Sequence, residues 1–351
     1  MKLVRLILFP ISILYGLILR ARNLAYDWGV IKAYQANIPT ICLGNLSMGG
    51  TGKTPHTKFL IDKLNTPNIV VLSRGYGRKT TGFIWVNKNS LSHEVGDEPL
   101  EIKRHNPSIK VAVCENRVLG VKTIQQQHPE TQLIILDDAY QHRKLTCSLY
   151  ILLTTYNNPF FKDFIVPTGY LRDNRQEARR AAITIITKSP NKIPHPIIFK
   201  QYINRYNKAP VCFSKMNYMS ILSHLNNQVN LTISDLEGKK IILLTGLANP
   251  KPFEDYWKSK ADVVHHLKFP DHHDFSEKDL LKIRQIFDSF AHQEPIVITT
   301  EKDSMRLDRY VNSEVLQGVP VFVSKMGISI DDESTVLSII NHHISTFNYV
   351  E

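Results

Sequence analysis

Residues 41–54 read Ile41-Cys42-Leu43-Gly44-Asn45-Leu46-Ser47-Met48-Gly49-Gly50-Thr51-Gly52-Lys53-Thr54. Ile41, Cys42 and Leu43 form a short apolar run that suits a buried strand. A loop carrying Gly44, Gly49, Gly50 and Gly52 follows, and Lys53-Thr54 opens a helix expected to run through Leu64. Strand, glycine loop and helix, in that order, are the context a phosphate-binding loop needs. Glycines let backbone N–H groups curl around phosphate oxygens, and the helix N-terminus adds a positive partial charge. Ser47, Met48, Gly49, Gly50, Thr51, Gly52, Lys53 and Thr54 are thus the candidate nucleotide-binding residues. Lys53 would reach the β- and γ-phosphates, and the Thr54 hydroxyl would hold Mg²⁺. One position departs from the usual pattern: Ser47 stands where a glycine is customary. A plain turn is the other reading of a glycine-rich loop, but it does not account for Gly-Lys-Thr at a strand-to-helix junction. Pro55 falls in the first helical turn, where its missing N–H costs little.

The chain has 351 residues, enough for two domains with cores of their own. Apolar residues at 43% and charged residues at 21% are ordinary for a globular protein. A net charge of +11 favours an anionic partner: nucleic acid, acidic lipid or a phosphorylated substrate. Cys42, Cys114, Cys147 and Cys212 are scattered without paired spacing, which argues for reduced thiols and against a structural zinc site.

At the N-terminus, fourteen uncharged residues run from Leu6 to Leu19 between Arg5 and Arg20. As a helix they span about 21 Å, marginal against the roughly 20 apolar residues that a bilayer core requires. Tyr15, Tyr26, Trp28 and Tyr34 add interface-seeking aromatics. A helix lying in a membrane interface is the favoured reading, and a core helix covering the sheet is the other.

Beyond the loop, short apolar runs at Ile69–Ser73, Ile109–Val113, Leu133–Leu136, Leu149–Leu153 and Ile183–Thr187 alternate with helical or loop segments. That alternation predicts a mostly parallel sheet covered by helices. From Pro190 to Leu236 the pattern loosens into a linker with room for a hairpin. A second α/β pattern starts at Lys240, with strands at Ile241–Thr245, Asp262–His266, Ile296–Thr300 and Val319–Ser324. Ser276–Phe290 shows a helical apolar face with Ser276 as N-cap. The expected division is 1–36, an N-terminal membrane-associating helix region; 37–205, the nucleotide-binding catalytic domain; 206–236, a linker; and 237–351, a smaller C-terminal α/β domain.

Several clusters carry chemistry. Leu133-Ile-Ile-Leu-Asp137-Asp138 is an apolar strand ending in two carboxylates, which suits metal binding beside a phosphate loop and also reads as a turn or helix cap. Gln141 and His142 follow with hydrogen-bonding side chains. Ser73-Arg74-Gly75-Tyr76-Gly77-Arg78 reads as an anion clamp or as a basic turn. Gly96-Asp97-Glu98-Pro99 presents carboxylates from a loop, one of them able to accept a hydroxyl proton. Arg117, Arg172 and Asp173 are further candidates for phosphate and metal contacts, while Arg172, Arg175, Arg179 and Arg180 together also read as a solvated helix face. Phe269-Pro-Asp271-His272-His273-Asp274 places imidazoles and carboxylates in a loop.

Taken in order, Gly44 to Pro55, Ser73 to Arg78, Gly96 to Pro99, Asp137-Asp-Ala-Tyr-Gln-His142, Leu171-Arg-Asp173, Asp271-His-His273 and Thr300-Glu-Lys-Asp303 resemble tetraacyldisaccharide 4'-kinase, the lipid A 4'-kinase family of Gram-negative bacteria. The resemblance runs from the hydrophobic N-terminus to about residue 303. It implies a phosphate-loop kinase fold, ATP and Mg²⁺ as cofactors, and transfer of the γ-phosphoryl group to the 4'-hydroxyl of a tetraacylated glucosamine disaccharide 1-phosphate. It implies Asp97 as general base with His272 as partner, and Lys53 and Arg172 as charge stabilisers. Thr54, Asp137, Asp138 and Asp173 become the metal-side groups, and Arg74, Arg78, Glu98, Arg117, Gln141 and His142 the substrate contacts. The implied place of work is the cytoplasmic face of the inner membrane, peripheral or monotopic, on an acylated lipid substrate. The chain departs from the family pattern at Ala139-Tyr140, in place of Gly-Phe, and at Asp173, in place of Glu.

A membrane-associated partition-type ATPase is the main rival, since that class shares the Gly-Gly-x-Gly-Lys-Thr core. Its signature lysine before the two glycines is Met48 here, and it gives no role to Asp97 or the Asp271-His272 loop. A nucleic-acid-binding ATPase is a third option prompted by the charge, but no recognition module stands out, so no nucleic-acid partner is expected.

Overall fold

The computed structural model describes residues 7–224, 229–271, 273–310 and 312–347. The chain forms two compact units: residues 1–216 together with 328–351, and residues 217–327.

The first unit opens with helix α1 (Phe9–Asp27). Its parallel strands run in the order β7 (Val211–His224), β6 (Ile183–Thr187), β5 (Leu149–Thr155), β1 (Thr40–Asn45), β4 (Leu133–Asp137), β2 (Ile69–Ser73) and β3 (Lys110–Val113). The two-residue strand Ile84–Trp85 closes the far edge antiparallel to β3. The central strands β1, β2, β4 and β6 are buried at every position. That burial explains why apolar residues dominate them, since a sheet covered on both faces has no solvent side. Helices α2 (Lys53–Lys63), α3 (Asp97–His105) and α4 (Arg117–Gln127) supply crossovers. All four cysteines are free and buried.

Helix α1 is inverted relative to an ordinary covering helix. Its buried positions are Ser12, Gly16, Leu19 and Asn23, spaced as one helical face. They dock by polar bonds and close approach: Ser12 Oγ donates to Thr168 Oγ1 at 2.7 Å, and Asn174 Nδ2 to the Gly16 carbonyl at 3.2 Å. Ile11, Ile13, Leu14, Leu17 and Ile18 face outward and are exposed. No helix among the described residues is long and apolar enough to cross a membrane.

In the second unit parallel strands run in the order β9 (Asp262–Lys268), β8 (Lys240–Thr245), β10 (Ile296–Thr300) and β11 (Val321–Ile330). One face packs Ile242, Leu244, Val297 and Phe275, and the other packs Ile241, Leu243, Phe253 and Trp257. The helix at Glu277–Ser289 starts at Ser276, whose hydroxyl and N–H both bond Asp279.

Within 206–236 the hairpin for which the sequence leaves room forms, since β7 extends for 14 residues and Asn230–Thr232 pairs antiparallel with it. Beyond 237, in contrast to the expected single domain, the chain is divided between the two units. The helix Glu333–Ser345 belongs to the first unit, where Glu333 pairs with Lys63 at 2.7 Å and His343 bonds Ser148 at 2.9 Å.

Candidate active site

The loop between β1 and α2 is held from several sides. Gly52 is the N-cap of α2 in the left-handed region at φ +86°, a backbone open to glycine at no steric cost. Asn45 Nδ2 donates to Thr51 Oγ1 at 2.9 Å, and Thr187 Oγ1 at the end of β6 donates to the Thr51 carbonyl at 2.8 Å. Met48 N donates to the Tyr170 carbonyl at 2.7 Å while its side chain is exposed. Buried His56 bonds the Gly52 carbonyl at 2.7 Å and Ser214 Oγ at 2.9 Å. Lys53 heads α2, and Thr54 follows it, half-buried.

Strand β4 lies beside β1 with Asp137 opposite Leu43, so the paired carboxylates arrive next to the loop. Lys53 Nζ lies 3.6 Å from Asp138 Oδ1. Arg172 grips the same carboxylate with two nitrogens, at 2.8 and 3.3 Å, and also bonds Asn45 Oδ1. Burial would raise the Asp138 pKa, but Lys53 and Arg172 outweigh it and hold the carboxyl at about 2. Asp137 behaves oppositely: burial pushes it to about 6, with the charges of Asp138 and Glu98 adding and Lys53 opposing. Its Oδ2 accepts from Ser73 at 3.3 Å, while its Oδ1 is buried without a hydrogen-bond partner.

That orphaned oxygen is the observation that fits a cation or its water. Thr54, Asp137 and Asp138 are hard oxygen donors of the kind Mg²⁺ takes. No group of three or more His, Cys, Asp or Glu able to hold a metal occurs among the described residues. Mg²⁺ is commonly held by one or two carboxylates together with substrate phosphates. Asp173 is fully buried, and its Oδ1 accepts from Asn23 of α1 and from Asn174 N, each at 2.8 Å. Burial raises its pKa, and its Oδ2 has no partner.

The other sequence candidates divide. Asp97 is buried as the first residue of α3, and Glu98 follows it, half-buried. The expected loop is therefore a helix start: Gly96 at φ +91° turns the chain out of the short helix Ser92–Val95 into α3. Two acids then meet the positive helix end, and Pro99 fits the first turn. Arg117 is buried and donates to the carbonyls of Cys114, Asp137 and Asp138, so it braces the backbone under the paired carboxylates. Arg78 Nη2 bonds Glu115 and the Gly82 carbonyl, bracing its own loop, while its buried Nη1 has no hydrogen-bond partner. Arg74 is exposed past the end of β2. Gln141 Nε2 donates to the Asn45 carbonyl at 2.7 Å. Burial lowers His142 to about 4, and its buried Nε2 has no partner.

The Arg175–Arg180 run is a 3-10 helix that clamps its surroundings and is no solvated face. Arg175 holds the Asp163 carbonyl, Arg179 pairs with Asp27, and Arg180 pairs with Glu177 and stacks 4.3 Å above Tyr140. Tyr140, a departure from the family pattern, is buried, and its hydroxyl donates to the Glu177 carbonyl at 2.9 Å. Asp271 lies 3.5 Å from Lys302, and His273 bonds Asp279 at 3.0 Å. His272 lies outside the described residues, and with it the expected pairing to Asp97. Sequence reasoning missed Asn45, His56 and Asn23 as structural partners of the site. Of these only Asn45 stood inside a quoted motif.

A parallel sheet with this glycine loop, a lysine heading the next helix and paired aspartates on the adjacent strand defines a phosphate-loop nucleotide-binding protein. Within that class, the chain belongs to the tetraacyldisaccharide-1-P 4'-kinase family, LpxK, whose family model matches residues 4–345. It is 40% identical to a tetraacyldisaccharide 4'-kinase of Flavobacterium psychrophilum, over 92% of each chain. It is 36% identical to the enzyme of that name from Bacteroides thetaiotaomicron, over 96% of this chain and 91% of the other. A crystal structure of LpxK from Aquifex aeolicus in complex with ATP matches with a TM-score of 0.78 at 28% identity, over 97% of this chain and 99% of that one.

Proposed function

We propose that this chain transfers the γ-phosphoryl group of ATP to the 4'-hydroxyl of a tetraacylated glucosamine disaccharide 1-phosphate. The observation that carries the reading is the convergence of Lys53 and Arg172 on Asp138 beside the phosphate loop, in a chain of this family. The reaction forms a bond from the sugar oxygen to the γ-phosphorus and breaks the bond to the bridging oxygen, releasing ADP. Lys53 and Arg172 oppose the negative charge spread over the transferring group. Asp97 takes the hydroxyl proton as the new bond forms. Mg²⁺, when bound, would be held by Thr54, Asp137 and Asp138 and would neutralise charge on the β- and γ-phosphates. Asp173 is an outer member of that set, since Asn23 and Asn174 already occupy its Oδ1. The outward apolar face of α1 supports work at a membrane surface, where an acylated substrate resides, and the need for ATP supports the cytoplasmic side.

A radiolabelled transfer assay with purified lipid acceptor tests the reading. Label should appear in the lipid, ATP should be consumed mainly when acceptor is present, and Lys53→Ala should cut turnover by on the order of 100-fold at saturating ATP. Acceptor-independent ATP hydrolysis without lipid labelling would favour the partition-type ATPase. A double-variant cycle tests the base. Asp97→Ala should lower kcat far more than it weakens ATP binding. If His272 acts with it, the variant lacking both should be little worse than the poorer single one, whereas multiplicative losses dissolve the partnership.

A further inference from the structure

A second lysine, besides Lys53, lies near the phosphate loop. Lys188 follows the last residue of β6 and takes a left-handed backbone, φ +55°. That conformation costs a non-glycine residue roughly 1 kcal/mol or more, so the surrounding bonds must impose it. Before it, the Thr187 hydroxyl is tied to the Thr51 carbonyl of the loop at 2.8 Å. After it, Ser189 N donates to the Ser214 carbonyl at 2.9 Å, and Ser189 Oγ donates to the Ile186 carbonyl at 2.8 Å. The turn is thus fixed on both sides of the lysine.

The fixed turn sends the side chain toward the loop. Lys188 Nζ lies 3.9 Å from the point where a Cβ would project from Gly50. Protein around the amino group lowers its pKa, and burial is the cause. Lys53, by contrast, has Asp138 at 3.6 Å. The residue as a whole is exposed, while its amino group turns back to the loop. Beside a loop of backbone N–H groups its charge adds to theirs in drawing an anion. Met48 leaves the loop itself with Lys53 as its one lysine, so a further ammonium at the loop comes from outside it.

We propose that Lys188 is a nucleotide-binding residue, a second ammonium delivered by β6 that holds the phosphates of the bound nucleoside triphosphate together with Lys53. The proposal rests on the phosphate-loop reading of Ser47–Thr54.

The test is calorimetric titration of the full-length protein with ATP, ADP and AMP in excess Mg²⁺. Lys188→Met keeps the stem and removes the charge. It should weaken ATP binding about tenfold, the scale of one hydrogen bond to a charged group, and weaken AMP binding by much less. Lys188→Arg should restore most of the loss. Lys188→Asn, which suits a left-handed backbone, serves as the deciding variant should the methionine form fail to fold. ATP affinity within twofold of the wild type in a folded charge-free variant overturns the proposal. Equal weakening of AMP and ATP also overturns it, because the contact would then not be to the outer phosphates. Lys53→Ala separates the two levels. If it weakens ATP while the Lys188 variants do not, only this inference fails. If the wild type binds none of the nucleotides, the phosphate-loop reading fails first.

Discussion

Asp137 and Asp138 are neighbours in sequence, yet their surroundings push their acidities apart, to about 6 and about 2. Asp138 meets Lys53 and Arg172, whereas burial dominates at Asp137, so one carboxylate is pinned by cations and the other retains an unbonded oxygen. Their place beside the loop was legible, because an apolar strand ending in two acids reads as a neighbour of the loop strand. Their division of labour was not, because it depends on Arg172, which is distant in sequence. His56 gave no signal at all, following Pro55 in an ordinary helical turn. It is fully buried, and burial lowers its pKa to about 4 even though its bond to the Gly52 carbonyl favours the protonated ring. The sign follows from linkage. Between about pH 6.5 and 4 the unfolded chain binds a proton at this histidine that the folded chain refuses. The stability it contributes is therefore present above pH 6.5 and lost as pH falls toward 4, a change on the order of 3 kcal/mol. The difference in unfolding free energy between wild type and His56→Gln, followed by denaturant titration from pH 7.5 to 4.5, should shrink by that order as pH falls. A pH-independent difference would show that His56 is protonated equally in both states.

Among the elements, the strands were readable because burial on both faces leaves mostly apolar, β-branched runs, as in Ile69–Ser73 and Ile183–Thr187. β7 was not, since Val211–Ser214 is its only continuous apolar stretch and asparagine and serine follow. The helix beginning at Asp97 was hidden for a related reason: glycine before it and proline within it resemble loop punctuation until the helix geometry is known. Its orientation has a specific cause. Lys58 on α2 pairs with Glu101 on α3 at 3.1 Å, and both side chains are almost wholly buried. The helix that carries Lys53 is thereby locked to the helix that starts with Asp97. Removing one partner of a buried pair leaves an uncompensated charge and costs about 3–5 kcal/mol, whereas replacing both with apolar groups is often near neutral. Lys58→Met alone should therefore lower the unfolding free energy by about that amount, and Lys58→Met with Glu101→Leu should recover much of it. Additive losses in that cycle would mean that the two charges stabilise the helices through other neighbours.

At the scale of the whole molecule, the least ordinary feature is a helix that faces its protein with serine, glycine and asparagine and faces outward with isoleucine and leucine. Leu14, Leu17 and Ile18 are 62%, 56% and 58% exposed. In water that arrangement forgoes burial worth about 1.5–3 kcal/mol for each large side chain, and a surface so apolar marks an interaction site. A net charge of +11 adds attraction to anionic head groups, about 1 kcal/mol for each basic residue close to the surface. The two contributions respond differently to salt, because apolar insertion survives it and surface attraction is screened. Wild-type protein should thus remain largely on anionic vesicles at 0.5 M salt, a concentration at which the Debye length is only about 4 Å. Leu14→Asp with Leu17→Asp should release it under the same conditions. Because both residues are exposed and make no core contact, the melting temperature should hardly move, as surface substitutions usually stay within about 0.5 kcal/mol. Release of the wild type by salt alone would make the basic surface the anchor. Full retention of the doubly substituted protein, still folded, would leave the outward face of α1 without a part in membrane binding.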